Sequence, residues 1–417
     1  MVRLSGPATT TIICGITKQA LPPPRRAVRR RFGRDPVADD GILIWFPGPR
    51  SFTGEDVAEL HIHGGRAVYL AIADLLTQAG ARMADPGEFT RRAFENGKLD
   101  LTQAEGIADL IAAETEGQRR SALRQMDGEL GRLYEGWRLR LIHLIAQAEA
   151  AIDFPDEDLP AGLLDGVVED AESLRAELSG HLDDGRRGER LRDGFHVAIL
   201  GAPNAGKSSL LNALVGRAAA IVHPAAGTTR DIIEVAVDLA GWPVVLSDTA
   251  GLRAALDPVE AEGVRRARER ARAADLKLLV VDGAAGGPAE ELLDLADDTA
   301  ILVLNKSDLG DCAEAPDAPP AIRVSASTGQ GLAALADAIA ARAAEAMGGS
   351  SLTPTRLRHR EAVEGCIAHL ASMDAGSLPE LLVEDLRLAA RALGRAVGSI
   401  DVEDVLDAVF RQFCIGK

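Results

Sequence analysis

The spacing of apolar positions changes character three times along the chain. Residues 1–98 mix short β-like runs at 41–46 and 58–63 with one helix-like stretch at 67–78, which predicts a small α+β domain. From residue 99 to about 193 the period turns helical. Leu101, Ala104, Ile107, Ala108 and Ile111 form one apolar stripe, and Trp137, Leu141, Leu144 and Ala148 form another. Pro155 cannot continue a helix, so a break is expected around Ile152-Asp153-Phe154-Pro155. Between 194 and 346, strand candidates at 196–200, 243–247, 276–282 and 300–304 alternate with helical stretches. That alternation predicts a parallel sheet covered on both faces. After Gly348-Gly349 the helical pattern returns and runs to Phe413. Helices on both sides of a complete α/β unit predict that residues 194–346 are inserted into an all-α domain built from 99–193 and 347–417. The expected fold is thus multidomain: a small α+β N-terminal domain, then an α/β domain carried within helices.

Composition narrows the class. A chain of 417 residues suggests two to three domains. Aromatic content is only 3% of residues, so alanine, leucine and valine must fill the cores. Charges interrupt every apolar run before the ~18 residues needed to span a bilayer, and no signal-peptide core follows Met1. Four cysteines, Cys14, Cys312, Cys366 and Cys414, lack metal-ligand spacing. The cytoplasm is the expected compartment, with no membrane partner. A net charge of −17 argues against a general nucleic-acid coat but leaves room for a local basic surface. Residues 25–34 carry six arginines and no acid. They read first as a solvated loop after Pro22-Pro23-Pro24; contact with RNA phosphates is the alternative.

The chemistry lies in the α/β region. Gly201-Ala202-Pro203-Asn204-Ala205-Gly206-Lys207-Ser208 follows a strand and opens a helix beginning near Ser209. In a P-loop, glycines let backbone N–H groups close round phosphates at a helix N-terminus. Lys207 would reach the β- and γ-phosphates and Ser208 would ligate Mg²⁺. Asp248-Thr249-Ala250-Gly251 ends an apolar strand, placing a carboxylate for the Mg²⁺ shell and a glycine at the γ-phosphate. Asn305-Lys306-Ser307-Asp308 ends a later strand. The Asp308 carboxylate can accept two N–H bonds from guanine, whereas adenine offers no matching donors. Ser325-Ala326 fits a backbone contact to the guanine oxygen. Four such motifs in this order predict a GTPase of the Ras-like type.

Gly227-Thr228-Thr229-Arg230-Asp231 stands where a first switch belongs, and Thr229 is assigned to Mg²⁺ when the γ-phosphate is bound. Leu252 follows Gly251, where small signalling GTPases place a water-orienting glutamine. Leucine has no polar atom for that task, so Asp257, Glu260 and Glu262 become candidates. Arg230 and Arg253 are possible arginine fingers, though solvated switch arginines are the plainer reading.

With these motifs in place, the chain resembles the MnmE (TrmE) family of tRNA-modification GTPases over nearly its whole length. Further carriers are Ser51-Phe52-Thr53-Gly54-Glu55-Asp56, Pro86-Gly87-Glu88-Phe89-Thr90, Lys98-Leu99-Asp100-Leu101 and Cys414-Ile415-Gly416-Lys417. The resemblance implies that Asn204, His223, Ala225 and Thr228 hold K⁺ beside the nucleotide, in place of an arginine finger. It implies that Glu260 orients water and that G domains dimerise across the nucleotides. It also implies a tetrahydrofolate site (5-formyl or 5,10-methylene) at Arg3, Glu59, Lys98 and Lys417, and a reaction role for Cys414. A homodimer would work with the FAD protein MnmG (GidA), in a heterotetramer or larger complex. Together they would place an aminomethyl or carboxymethylaminomethyl group on C5 of the wobble uridine of certain tRNAs. Family members usually carry about twenty residues before Val2-Arg3-Leu4-Ser5-Gly6-Pro7, including a first strand. Arg3 is therefore expected near a frayed end, which weakens the folate expectation.

Without the resemblance, Cys414 would read as an ordinary thiol and Glu59 and Lys98 as surface charges. His61 and His63 alternate on a strand with no third ligand nearby, so a structural role is expected. Two rival functions are a ribosome-assembly-type RNA-binding GTPase and a dimeric scaffold whose GTPase drives assembly. No GxxG-clamped pattern follows Ala326 to favour the first.

Overall fold

A computed structural model describes residues 1–154, 162–221, 234–248, 273–284, 292, 296–310, 321–349, 352–374, 378–399 and 409. Contacts divide the chain into two compact units, residues 1–111, 123–175 and 362–417, and residues 112–122 and 176–361. The chain thus leaves the first unit and later returns to it.

In the first unit, β1 (Val2–Ser5), β2 (Val28–Phe32), β3 (Asp39–Phe46) and β4 (Val57–His61) form an antiparallel sheet of order β1-β4-β3-β2. One face packs under α1 (Thr9–Thr17) and α2 (Arg66–Gln78). Phe32, Leu43, Ala58 and Leu60 meet Ile12, Ile13, Ile16, Ile72 and Leu76 there. Two expectations change. The arginine-rich run is not simply a loop, because residues 28–32 pair with β3. Nor is Arg3 frayed: it lies in β1 opposite Glu59, and their side chains form a 2.9 Å ion pair. A strand pairing and a half-buried ion pair offset the ordering entropy that a bare terminus would lose.

The helices α3 (Glu88–Glu95), α4 (Leu101–Ala112) and α6 (Glu129–Asp153) follow, with α5 (Glu116–Met126) between the last two. On α6 the predicted stripe is buried, with Trp137, Leu141, Leu144 and Ala148 all within the core. The helix ends at Asp153, before Pro155, and packs along the Pro379–Val397 helix. The stripe on α4 holds only in part. Leu101 and Ala104 are fully buried, but Ile111 is exposed. Close packing of α4 centres instead on Gly106, where a Cβ would meet the Met126 amide nitrogen at 2.6 Å.

The second unit is built on a seven-stranded sheet of order β11-β10-β9-β5-β8-β7-β6. Its strands are β5 (Phe195–Gly201), β6 (Ala219–Ile221), β7 (Glu234–Leu239), β8 (Trp242–Asp248), β9 (Leu276–Asp282), β10 (Ala300–Asn305) and β11 (Ala321–Arg323). The four expected strands, β5, β8, β9 and β10, run parallel, and β7 and β6 extend the sheet antiparallel to their neighbours. A two-residue turn joins β7 to β8, and its residues Ala240 and Gly241 both have positive φ (54° and 88°). Such a turn matches strand twist and dictates an antiparallel pair. Apolar residues face both sides of the central strands. Val197 and Ile199 join the core beneath α9 (Lys207–Arg217) and the Leu332–Met347 helix, while Ala198 and Leu200 join the opposite one. Double coverage explains the unbroken hydrophobic runs.

After α7 (Leu163–Leu182), α8 (Arg187–Asp193) lies just before β5. Arg360, on the returning chain, donates to Asp184 (2.7 Å), Glu189 (2.9 Å) and the Leu182 carbonyl (3.1 Å), so it clasps the two chain segments that border this unit.

Candidate active site

Three parallel strands end in polar residues at one edge of the sheet: β8 in Asp248, β9 in Asp282 and β10 in Asn305. Beside them β5 runs into the glycine-rich loop. Ligands bind open α/β sheets at these carboxyl ends because the strands aim loop and helix termini there.

The loop's geometry follows from its sequence. A Cβ at Gly201 would strike the Val280 carbonyl, and one at Gly206 would strike the Asn305 side chain. Gly206 also has φ 89°, which only glycine adopts readily. Asn204 takes the left-handed conformation too, at φ 65°, a position asparagine tolerates. With Gly206 as its N-cap, α9 begins at Lys207 and no side chain caps it. Its first-turn amides therefore point at the cradle as an anion-binding set.

Lys207 is buried and its ammonium donates to the carbonyls of Gly201 (2.9 Å) and Ala202 (3.0 Å). Burial pushes its pKa below the ordinary lysine value, with the Asp248 carboxylate partly opposing. A phosphate oxygen arriving at the loop would stabilise the charged form that burial disfavours. The Ser208 hydroxyl donates to Asp248 Oδ2 at 2.6 Å, while Asp248 Oδ1 is buried with no hydrogen-bond partner among the described residues. A hydroxyl beside an under-satisfied carboxylate is a hard-oxygen set that suits Mg²⁺. Ser208, Asp248 and Lys207 are thus brought together as the motifs require, and Ser209 is exposed in the first turn of α9.

The base-reading side is braced from within. Asn305 is buried; its amide nitrogen donates to the Ala205 carbonyl (2.9 Å) and its oxygen accepts from the Ala326 backbone N–H (3.1 Å). One side chain therefore ties the phosphate loop to the Ser325-Ala326 turn. Lys306, at φ 62°, forms a 2.6 Å ion pair with Asp282. Asp308 is exposed, and its carboxyl is held below the usual carboxylate range, first by the Ser325 hydroxyl, then by its own backbone N–H and Ser327. An ionised carboxylate in reach of solvent is what guanine's paired N–H donors need. Sequence reading missed Asp282. The available signal was position: it closes an apolar strand as Asp248 and Asn305 do.

The remaining assigned residues of this site, His223, Ala225, Thr228, Thr229, Thr249, Ala250, Gly251 and Glu260, lie outside the described residues, as do Cys414 and Lys417. Of the folate candidates, Arg3 and Glu59 pair on the sheet face away from the core, and the Arg3 guanidinium lies 5.7 Å from the ring centroids of both Phe52 and Phe89. Lys98 donates to the Pro49 carbonyl at 3.0 Å. Both cations thus border the loop that joins β3 to β4. A planar arginine between rings, with a carboxylate and an ammonium nearby, is compatible with a flat, amino-bearing, acidic ligand such as a folate.

The glycine-rich loop with Lys207 and Ser208, Asp248 at the adjoining strand end and the Asn305-braced turn, on one doubly covered sheet, have the form of a P-loop GTPase, a hydrolase of GTP. Comparison with known proteins agrees. The family described as GTP-binding protein TrmE N-terminus matches residues 1–98, and the MnmE helical domain family matches residues 101–414. The tRNA modification GTPase MnmE of Paramagnetospirillum magneticum is 54% identical over 424 residues, covering 100% of this chain and 96% of that protein. Its counterpart in Parvibaculum lavamentivorans is 56% identical over 427 residues, with the same coverage. The solved G domain of the T. maritima FeoB iron transporter is 28% identical over 36% of this chain and 98% of its own, but its TM-score of 0.27 is too low to inform the site. The chain belongs to the MnmE family of tRNA modification GTPases.

Among the described residues, no helix is long and apolar enough to cross a membrane, and no group of three or more His, Cys, Asp or Glu residues could hold a metal ion. That includes His61 and His63. His61 lies 3.6 Å from Glu59, and His63 pairs with Asp39 at 2.8 Å.

Proposed function

We propose that this chain is a K⁺-activated GTPase of tRNA wobble-uridine modification. With the FAD protein MnmG it adds an aminomethyl or carboxymethylaminomethyl group to C5 of that uridine, and a tetrahydrofolate derivative supplies the carbon. The observation that carries the reading is the braced nucleotide cradle, in which Asn305 links Ala205 to Ala326, in a chain whose relatives of this name match it end to end.

In hydrolysis, Lys207 and the first-turn amides of α9 hold the phosphates and Asp308 holds guanine. Ser208 and Thr229, together with Asp248, would hold Mg²⁺, which would neutralise charge on the phosphates. Glu260 orients the attacking water, because Leu252 cannot. Asn204, His223, Ala225 and Thr228 would hold K⁺, whose charge would stand in for an arginine finger. GTP hydrolysis accompanies G-domain dimerisation in a homodimer and drives a conformational change. Arg3, Glu59, Lys98 and Lys417 bind the folate, and Cys414 takes part in the modification. The domain plan is 1–98, 99–193 with 347–417, and 194–346, and the work is cytoplasmic.

The test is nucleoside analysis of tRNA from a deletion strain. Loss of the C5-substituted uridine, restored by this chain but not by its Lys207→Ala variant, is expected. Unchanged wobble uridines with defective ribosomal subunits would overturn the reading in favour of a ribosome-assembly GTPase.

A further inference from the structure

We propose that the arginine-rich edge of the four-stranded sheet is a docking surface for the phosphate backbone of RNA. The proposal rests on the tRNA reading above and names where that tRNA touches this chain.

Residues 25–50 contain seven arginines against three aspartates, in a chain whose net charge is −17. Most of this charge sits on β2, the edge strand, or on the segments leading into and out of it. Alternation divides the strand: Phe32 enters the core, while Arg29 and Arg31 turn to the other face with side chains 81% and 73% exposed. Side chains two apart on a strand stand roughly 6.7 Å apart, enough to meet separate phosphates.

Local acids do not neutralise this surface. Arg29 and Arg31 share the single carboxylate of Asp40, at 2.8 and 3.6 Å. Asp39 is occupied by the ring and backbone N–H of His63. Arg26, Arg34 and Arg50 are exposed and form no ion pair with any described residue. The surface is also held in place. The Arg25 backbone N–H donates to the Trp45 carbonyl at 2.8 Å, and its guanidinium lies over Phe46 and donates to the Arg50 carbonyl. Ordering entropy that a free loop would lose on binding has thus already been spent in folding.

Guanidinium groups suit this partner because their planar donors match phosphate oxygens two at a time. Each phosphate they neutralise also releases counterions, which makes the attraction salt-dependent. Protection of a sheet edge from pairing explains a charge or two on β2. It does not explain the further unpaired cations at Arg26, Arg34 and Arg50.

The experiment measures binding of unmodified tRNA to the full-length protein by fluorescence anisotropy across a salt series. Arg26, Arg34 and Arg50 are changed together to Gln. As a control of equal charge, Arg66, Arg342 and Arg391 are changed together to Gln. The edge variant is expected to bind at least tenfold more weakly at low salt. Its slope of log Kd against log salt should be shallower by about 2 to 3, since each lost phosphate contact removes about 0.7–0.9. Changing the same three residues to Lys should restore most of the slope. GTP hydrolysis and the thermal midpoint should stay at the unmodified values. Equal losses in the edge and control variants would overturn the surface, as would wild-type affinity and slope in the edge variant, with or without self-association. A lost affinity for anionic vesicles alone would assign the edge to membranes instead. Unmodified protein that binds no tRNA at all would defeat the functional reading rather than this surface.

Discussion

The backbone N–H of Gly117, in the first turn of α5, donates a 3.0 Å hydrogen bond to the carbonyl of Gly241 at the tip of the β7–β8 hairpin. A Cβ at Gly117 would lie 3.1 Å from both that carbonyl oxygen and Leu191 Cδ1, and 3.4 Å from Trp242. Gln118 reinforces the seat by donating to the Arg192 carbonyl at 3.0 Å. The other end of β8 is Asp248, so one hairpin runs between this seat and the nucleotide site.

Gly117→Val should therefore break the seat without touching the cradle. Overpacking of this kind costs about 1–3 kcal/mol. Hydrogen exchange is expected to quicken across residues 116–122, with GTP affinity within twofold of the unmodified protein. Unchanged exchange would mean that the seat yields without cost.

Asp308→Asn should weaken GTP binding by about 100-fold or more. A carboxylate bonding two guanine N–H groups loses roughly 3 kcal/mol when one acceptor oxygen becomes an NH₂ donor. Fluorescent-nucleotide titration checks this. Because Asp308 is surface-exposed and Ser325 and Ser327 can turn their hydroxyls elsewhere, the fold should be unaffected.

Hydrolysis should run at least tenfold faster in KCl than in NaCl, and Asn204→Ala should abolish the difference. Glu260→Ala should lower kcat while leaving GTP affinity nearly unchanged, because the role proposed for it is exerted in the transition state. Steady-state and binding measurements on the two variants separate the roles. A normal kcat for the Glu260 variant would move water orientation to Asp257 or Glu262.

Stability should also depend on pH near the Arg360 clasp. Burial pushes His181 down to about 4; Asp184 opposes this fall, while Arg360 and His359 add to it. The unfolded chain therefore binds the proton first as pH drops from about 6.5. Stability tied to neutral His181 is complete above that pH and is lost progressively toward pH 4, by about 2 kcal/mol once partial exposure is allowed for. Urea midpoints followed by Trp242 fluorescence, with Trp45 and Trp137 changed to Phe, should show this slope, and His181→Gln should flatten it.

Legibility differed between the two layers of the site. The phosphate loop, Asp248 and Asp308 could be read directly, because each motif is a contiguous run whose function sets its local backbone. The brace at Asn305 could not be read, because it joins Ala205 to Ala326 across long stretches of chain. Asp282 was hidden for a similar reason: its task depends on Lys306, which follows the carboxyl end of the neighbouring strand β10.

Periodicity alone determined that strands would alternate with helices around Lys207, that α6 would bury Trp137 and Leu144, and that the helix would stop before Pro155. These follow from short-range geometry, in which a side chain's neighbours on its own element set its face. Only the tertiary structure decided that β7 runs against β8, that residues 28–32 pair as an edge strand rather than loop out, and that Arg3 is held by Glu59. Those outcomes depend on which distant backbone supplies the partner hydrogen bonds, and long-range pairing leaves no mark on the period of either strand alone.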